Sequence, residues 1–91
     1  MMSTLPVDMK KVSKEATDRE ILRAGIIAEL DAVNFYEQMA AEAENGKIKT
    51  LLMDIAREEK THVGEFQTML LQLDKEQVKE LEKGKKEVEE M

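Results

Sequence analysis

Three side chains that commonly bind metals, Glu29, Glu59 and His62, carry the clearest chemical signal in this 91-residue sequence. Glu59 and His62 are three residues apart, so both side chains leave a helix from the same face. A carboxylate beside an imidazole suits iron, manganese or zinc. Glu29 offers a second carboxylate from an earlier segment. These residues predict a metal site, provided that the fold brings the two segments together.

The position of the turn between the segments decides whether they meet. Asn45 and Gly46 are typical of a left-handed helix stop followed by a tight turn. Glu29 lies 17 residues before Gly46, whereas Glu59 and His62 lie 13 and 16 residues after it. At ~1.5 Å of rise per residue, the three side chains lie at nearly the same height of an antiparallel helical hairpin.

The elements that position these side chains are helices, and the sequence predicts an all-α fold in one domain. Residues 1–14 show no sustained periodicity and are predicted to be an irregular lead-in. Helices are predicted over 15–45, 47–73 and 75–90, which gives an antiparallel two-helix hairpin followed by a C-terminal helix.

Capping patterns mark two of the helix starts. Thr17 with Glu20 has the spacing of a capping box before the first helix, and Ser13 is an alternative cap one turn earlier. Asp74 with Gln77 reads as the cap of the third helix.

A stripe of mostly apolar residues follows each long helix in alternating steps of four and three. The two stripes are Leu22, Ile26, Glu29, Val33, Tyr36, Ala40 and Ala43, and Ile48, Leu52, Ile55, Glu59, His62, Phe66, Met69 and Leu73. The regular spacing holds only when Glu29, Tyr36, Glu59 and His62 are counted. The core of the helical bundle is therefore predicted to contain carboxylates.

One hairpin supplies half of the ligands of a carboxylate-bridged two-metal bundle, which takes one Glu from each of two helices and a Glu-x-x-His from each of the other two. A symmetric homodimer would supply the other half, because a two-fold interface presents the same patch from both chains. Four carboxylates and two divalent ions would make the loaded site neutral when both histidines are neutral. The sequence therefore predicts a homodimeric four-helix bundle.

The composition disfavours several other classes of protein. With 14 Lys and Arg against 20 Asp and Glu, the net charge of −6 argues against a nucleic-acid binder. The absence of cysteine excludes zinc–thiolate sites, iron–sulfur clusters and thiol nucleophiles within this chain. No apolar run approaches the ~20 residues of a membrane span, and the N-terminus lacks the apolar segment of a secretory signal. A cytoplasmic location is the expectation.

The stretches EILRAGIIAELDAVNFYEQMA and AREEKTHVGEF resemble the encapsulated ferritins, half-size members of the ferritin and rubrerythrin superfamily. Glu29, a tyrosine seven residues later, and Glu59 with His62 carry this resemblance, which covers roughly residues 15–82. It implies a ferritin-like four-helix bundle formed by a dimer, with two irons at the dimer interface. It also implies ferroxidase activity for iron storage and detoxification, assembly of dimers into a ring, and residence inside an encapsulin shell.

The resemblance assigns roles to individual residues. Glu29, Glu59 and His62 take the positions of the metal ligands, and Tyr36 lies beside the metals, so these four are the catalytic candidates. Ala28 and Asp31 stand where the family has acidic residues flanking the first ligand. Asp31 alone makes an outer metal-uptake site doubtful.

Two alternatives remain open at this stage. One is a rubrerythrin-like peroxidase, which would need a separate electron donor because this chain has no cysteine-ligated iron domain. The other is a non-enzymatic dimerisation scaffold whose buried polar residues only fix the helix register. The ligand set itself also accepts manganese or zinc in place of iron.

Overall fold

The structure is a computed structural model that describes residues 16–91. Three helices follow one another: α1 spans Thr17–Glu42, α2 spans Gly46–Leu73 and α3 spans Lys75–Glu89. The long helices α1 and α2 pack against each other over most of their length, while α3 makes only a small contact with α2. The predicted all-α hairpin with a third helix is confirmed. The predicted lead-in and the alternative cap Ser13 lie outside the described residues.

Helix α1 begins differently from the capping-box prediction. Its N-cap is Ala16, and Thr17 is already the first helical residue. Ala16 has a right-handed helical backbone, with φ −100° and ψ −4°, so the chain is turning before Thr17 is reached. A capping side chain needs an extended backbone at its own position, which Thr17 does not have. Asp18 and Glu20 in the first turn instead place negative charge at the positive end of the helix.

The connection between α1 and α2 also corrects a prediction. Helix α1 ends at Glu42, earlier than predicted, and Ala43 and Asn45 have extended backbones. Asn45 caps the start of α2, because its Oδ1 accepts hydrogen bonds from the backbone N–H of Lys47 at 2.8 Å and of Ile48 at 3.1 Å. Throughout residues 16–91 no backbone has positive φ, so the left-handed stop is wrong. Asn45 is the N-cap of α2, a position at which asparagine is strongly preferred.

The start of α3 agrees with the predicted cap. Asp74 Oδ1 accepts a hydrogen bond from the Gln77 N–H at 2.9 Å. Asp74 Oδ2 accepts a second bond, at 2.7 Å, from Nη2 of Arg23 on α1. The Gln77 N–H lowers the pKa of Asp74 below its ordinary value of 3.8 and Arg23 adds to this effect, whereas desolvation opposes it. One carboxylate therefore both caps α3 and ties its first turn to α1.

The core between α1 and α2 is narrow. Its buried residues are mostly small: Ala24, Ala32, Val33, Ala40, Ala56 and Leu70. Within the predicted stripes, Val33 and Ala40 are buried, whereas Ile48, Met69 and Leu73 are about half exposed. Part of the predicted stripe of α2 therefore lies on the surface of the single chain, whereas every member of the α1 stripe is buried or half-buried. Within residues 16–91, no helix is long and apolar enough to cross a membrane.

Candidate metal centre

The structure brings Glu29 of α1 together with Glu59 and His62 of α2 at the middle of the hairpin. Each residue offers one ligand atom, and these three atoms lie within 4.8 Å of one another. Among the residues that the structure describes, they form the single cluster of three His, Asp or Glu side chains suited to hold a metal ion. The convergence follows the register counted from the turn, because the two long helices run antiparallel from that point.

The imidazole of His62 lies between the two carboxylates. Its Nδ1 is 3.3 Å from Glu29 Oε2 and 3.6 Å from Glu59 Oε2. The side chains of Glu29 and Glu59 are 19% and 18% exposed, whereas that of His62 is 43% exposed. The site is thus closed by the hairpin on the carboxylate side and open around the imidazole.

No basic side chain neutralises the two glutamates. Within the described part of the chain, neither Glu29 nor Glu59 forms an ion pair with Lys or Arg. Lys60, the residue after Glu59, instead contacts Glu37 on α1 at 3.2 Å. Two carboxylates and one imidazole in partial burial are a donor set that fits a hard or borderline divalent cation such as Fe(II). The residues present therefore fit a metal.

Tyr36 lies on α1 seven residues after Glu29 and is half buried. Its ring makes an edge-to-face contact with Phe35, with the ring centres 5.2 Å apart. Seven residues correspond to ~10 Å along a helix, so the tyrosine is two turns away from the glutamate on the same face. Its predicted place beside the metals remains a prediction.

One feature near the site was missed by sequence reasoning. A Cβ atom added to Gly25 would lie 2.8 to 3.0 Å from three ring carbons of Phe66. The phenyl ring of Phe66 on α2 thus occupies the space where any residue other than glycine at position 25 would place its Cβ atom. Local sequence patterns do not show this contact, because the ring that covers Gly25 comes from a residue far along the chain.

Comparison with known proteins decides the family. The family model described as Rubrerythrin matches residues 20–91. The chain belongs to the rubrerythrin family. Among solved structures, the encapsulated ferritin domain from Pyrococcus furiosus superimposes with a TM-score of 0.85 and 49% identity, covering 100% of this chain and 95% of that one. The predicted resemblance to the encapsulated ferritins and the ferritin-like helical fold are thereby confirmed.

Two curated relatives of this rubrerythrin-family chain are larger proteins. The ferritin-like–encapsulin shell fusion protein of Pyrococcus furiosus is 60% identical over 72 residues, which cover 79% of this chain and 21% of the fusion protein. The encapsulin nanocompartment cargo protein EncC of Myxococcus xanthus is 35% identical over 69 residues, which cover 72% of this chain and 53% of the cargo protein. The chain thus spans between a fifth and about half of these relatives.

Proposed function

We propose that this chain is a ferroxidase, which oxidises Fe(II) to Fe(III) at a two-iron centre shared by a homodimer. The observation that carries the proposal is the cluster of Glu29, Glu59 and His62, which among the described residues has no Lys or Arg partner and is open on one side. Membership of the rubrerythrin family supports iron as the metal, with manganese or zinc as substitutes. In this proposal Glu29, Glu59 and His62 are the ligands, and Tyr36 is the fourth candidate residue.

The protein groups have distinct tasks in the proposed reaction. Glu29 and Glu59 provide negative charge that binds Fe(II) and favours the ferric product. His62 fixes the position of the cation through a nitrogen on the same helical face as Glu59. Two bound Fe(II) ions would each give up one electron, and dioxygen takes up both with two protons to become hydrogen peroxide.

Two features of the single chain support the proposed dimer. Three ligands are half of the set that a two-metal carboxylate bundle uses, and a two-fold partner would add the same three. Large apolar residues also remain exposed along the hairpin: Ile21, Leu30, Ile48, Leu51, Met69 and Leu73 are between 49% and 58% exposed. Burying them against a second copy would complete a four-helix core, and dimers would assemble further into a ring.

The partner beyond the dimer is an encapsulin shell in this proposal. Both curated relatives are named for encapsulin, one as a fusion to the shell and one as its cargo. A dimer of this size encloses no storage cavity, so ferric mineral would have to accumulate inside a surrounding compartment. We therefore place the protein within an encapsulin nanocompartment in the cytoplasm.

Alanine substitutions of the ligands test the proposed activity. We expect Glu59→Ala and His62→Ala to lose aerobic Fe(II) oxidation by at least about tenfold, since each removes one ligand from every copy. Oxidation is followed by absorbance of Fe(III), and helix content by circular dichroism. Glu58→Ala is the matched control, because Glu58 is an exposed neighbour on the same helix. Oxidation at the normal rate in both ligand variants would contradict the proposal.

A further inference from the structure

The contact between Gly25 and Phe66 lies one helical turn from the metal ligands on both helices. Gly25 precedes Glu29 by four residues on α1, and Phe66 follows His62 by four residues on α2. Because the helices are antiparallel, both displacements run in the same direction along the hairpin, by ~6 Å. The glycine and the phenyl ring therefore form the layer of side chains next to the candidate centre.

The contact leaves no room for a side chain at position 25. The closest ring atom, Cε1 of Phe66, is 2.8 Å from the position that a Cβ on Gly25 would occupy. Real Cβ atoms do not come this close to a carbon atom, so a methyl group there would push the ring or the helix away. The glycine is otherwise unfavourable, because glycine weakens a helix interior relative to alanine. The backbone of Gly25 has no positive φ, so the glycine is not explained by its own backbone conformation.

We infer that Gly25 and Phe66 are positioning residues, which set the separation of α1 and α2 and thereby the distance between the Glu29 carboxylate and His62. The ring packs on the bare backbone of Gly25 and lets the helices approach at that layer. One turn away, the same approach brings Glu29 Oε2 to 3.3 Å from His62 Nδ1. This inference rests on the proposed metal centre. In it, Gly25 and Phe66 bind no metal themselves but keep the three proposed ligands close enough to bind one ion.

Metal affinity measured in the full chain tests the inference. Co(II) is titrated anaerobically as the probe. Its visible absorption reports its coordination by the protein side chains, and no iron oxidation interferes. We expect Gly25→Ala to keep its helix content but to bind Co(II) at least about tenfold more weakly, as when the supports of metal ligands are removed. Gly84→Ala is the matched control: no atom lies within 4 Å of its added Cβ, and α3 carries none of the ligands.

A compensating variant separates positioning from general damage. In Gly25→Ala/Phe66→Leu the new methyl group faces a smaller side chain, so we expect Co(II) affinity to recover towards that of Phe66→Leu alone. Should Gly25→Ala fail to fold, the double variant is compared with Phe66→Leu, and equal affinities are expected. A further loss on adding the methyl group to Phe66→Leu would overturn the steric account, as would unchanged affinity in Gly25→Ala.

The same titration distinguishes the two proposals. If the wild-type chain bound no Co(II) or Fe(II), the proposed metal centre would fail and the inference would fall with it. If the wild type bound metal and Gly25→Ala bound it equally well, only the positioning role would be wrong.

Discussion

At the scale of single residues, the candidate centre concentrates negative charge. The ligand atoms of Glu29 and Glu59 lie within 4.8 Å of each other, and both side chains are mostly buried. Like charges at such a separation repel each other by about 1 kcal/mol even at the dielectric constant of water. A divalent cation bound at the proposed centre would relieve this repulsion.

Neutralising one carboxylate should accordingly stabilise the metal-free protein. We expect Glu59→Gln to raise its free energy of unfolding by about 1 kcal/mol, which is several degrees in Tm for a chain of this size. The measurement is thermal unfolding of both proteins in one buffer with a chelator present.

The same variant should lose the stabilisation that metal gives to the wild type. Glu58→Gln is the control, since it removes an exposed charge beside the site. It should leave the Tm nearly unchanged both with the chelator and with metal. A Tm of metal-free Glu59→Gln below that of the metal-free wild type would show instead that Glu59 stabilises the fold through its contact with His62.

The convergence of Glu29, Glu59 and His62 was predictable from the sequence, whereas the packing beside it was not. Glu59 and His62 share a helical face by their spacing alone, and the turn near Gly46 sets Glu29 at the same height. The tight approach of Phe66 to Gly25 depends on the distance between two helix axes, and local sequence patterns do not report that distance. The exposure of His62 likewise depends on which side of the hairpin is left uncovered.

At the scale of the elements, Asp74 joins the start of α3 to α1. Its carboxylate accepts bonds from the Gln77 N–H and from Arg23, and these lower its pKa below 3.8. A carboxyl group with a lowered pKa in the folded state stabilises the fold above its unfolded pKa. That contribution is lost as the pH falls through the folded-state pKa.

Replacement of this charge should change the acid sensitivity of the protein. Asp74→Asn keeps a capping side chain but loses the charge that Arg23 contacts, so we expect a lower Tm than wild type at neutral pH. The difference should shrink as the pH falls below 3.8. It is measured by thermal unfolding of both proteins from neutral pH down to about pH 3. A difference that stayed constant over this range would mean that the charge of Asp74 contributes nothing.

The helix ends show where local sequence rules apply. Asp74 and Gln77 formed the predicted cap because Asp74 is the single residue between α2 and α3. Thr17 and Glu20 have equally suitable spacing, yet the chain is already helical at Ala16 and Thr17 falls inside the helix. Asn45 is favourable at either end of a helix, and the extended backbone of Ala43 left it to cap α2. The existence of the helices was therefore predictable, whereas the capping residue was predicted correctly only at Asp74.

At the scale of the whole molecule, the single chain buries fewer apolar residues than its sequence pattern predicts. The regular stripes of α1 and α2 predict two buried faces, but Ile48, Met69 and Leu73 are 49% to 53% exposed. The buried positions are mostly alanine. Apolar residues left in regular positions on a hairpin surface are typical of an interface between subunits. The exposed apolar residues and the three-residue cluster both support the proposed homodimer.

Native mass spectrometry during an anaerobic Fe(II) titration tests the shared two-iron centre most directly, since one spectrum reports the mass of the assembly and the metal bound to it. We expect assemblies with an even number of chains to take up two irons per pair of chains, and the dimeric species to increase as iron is added. Iron that bound diffusely to monomers, or assemblies that retained none, would contradict the account.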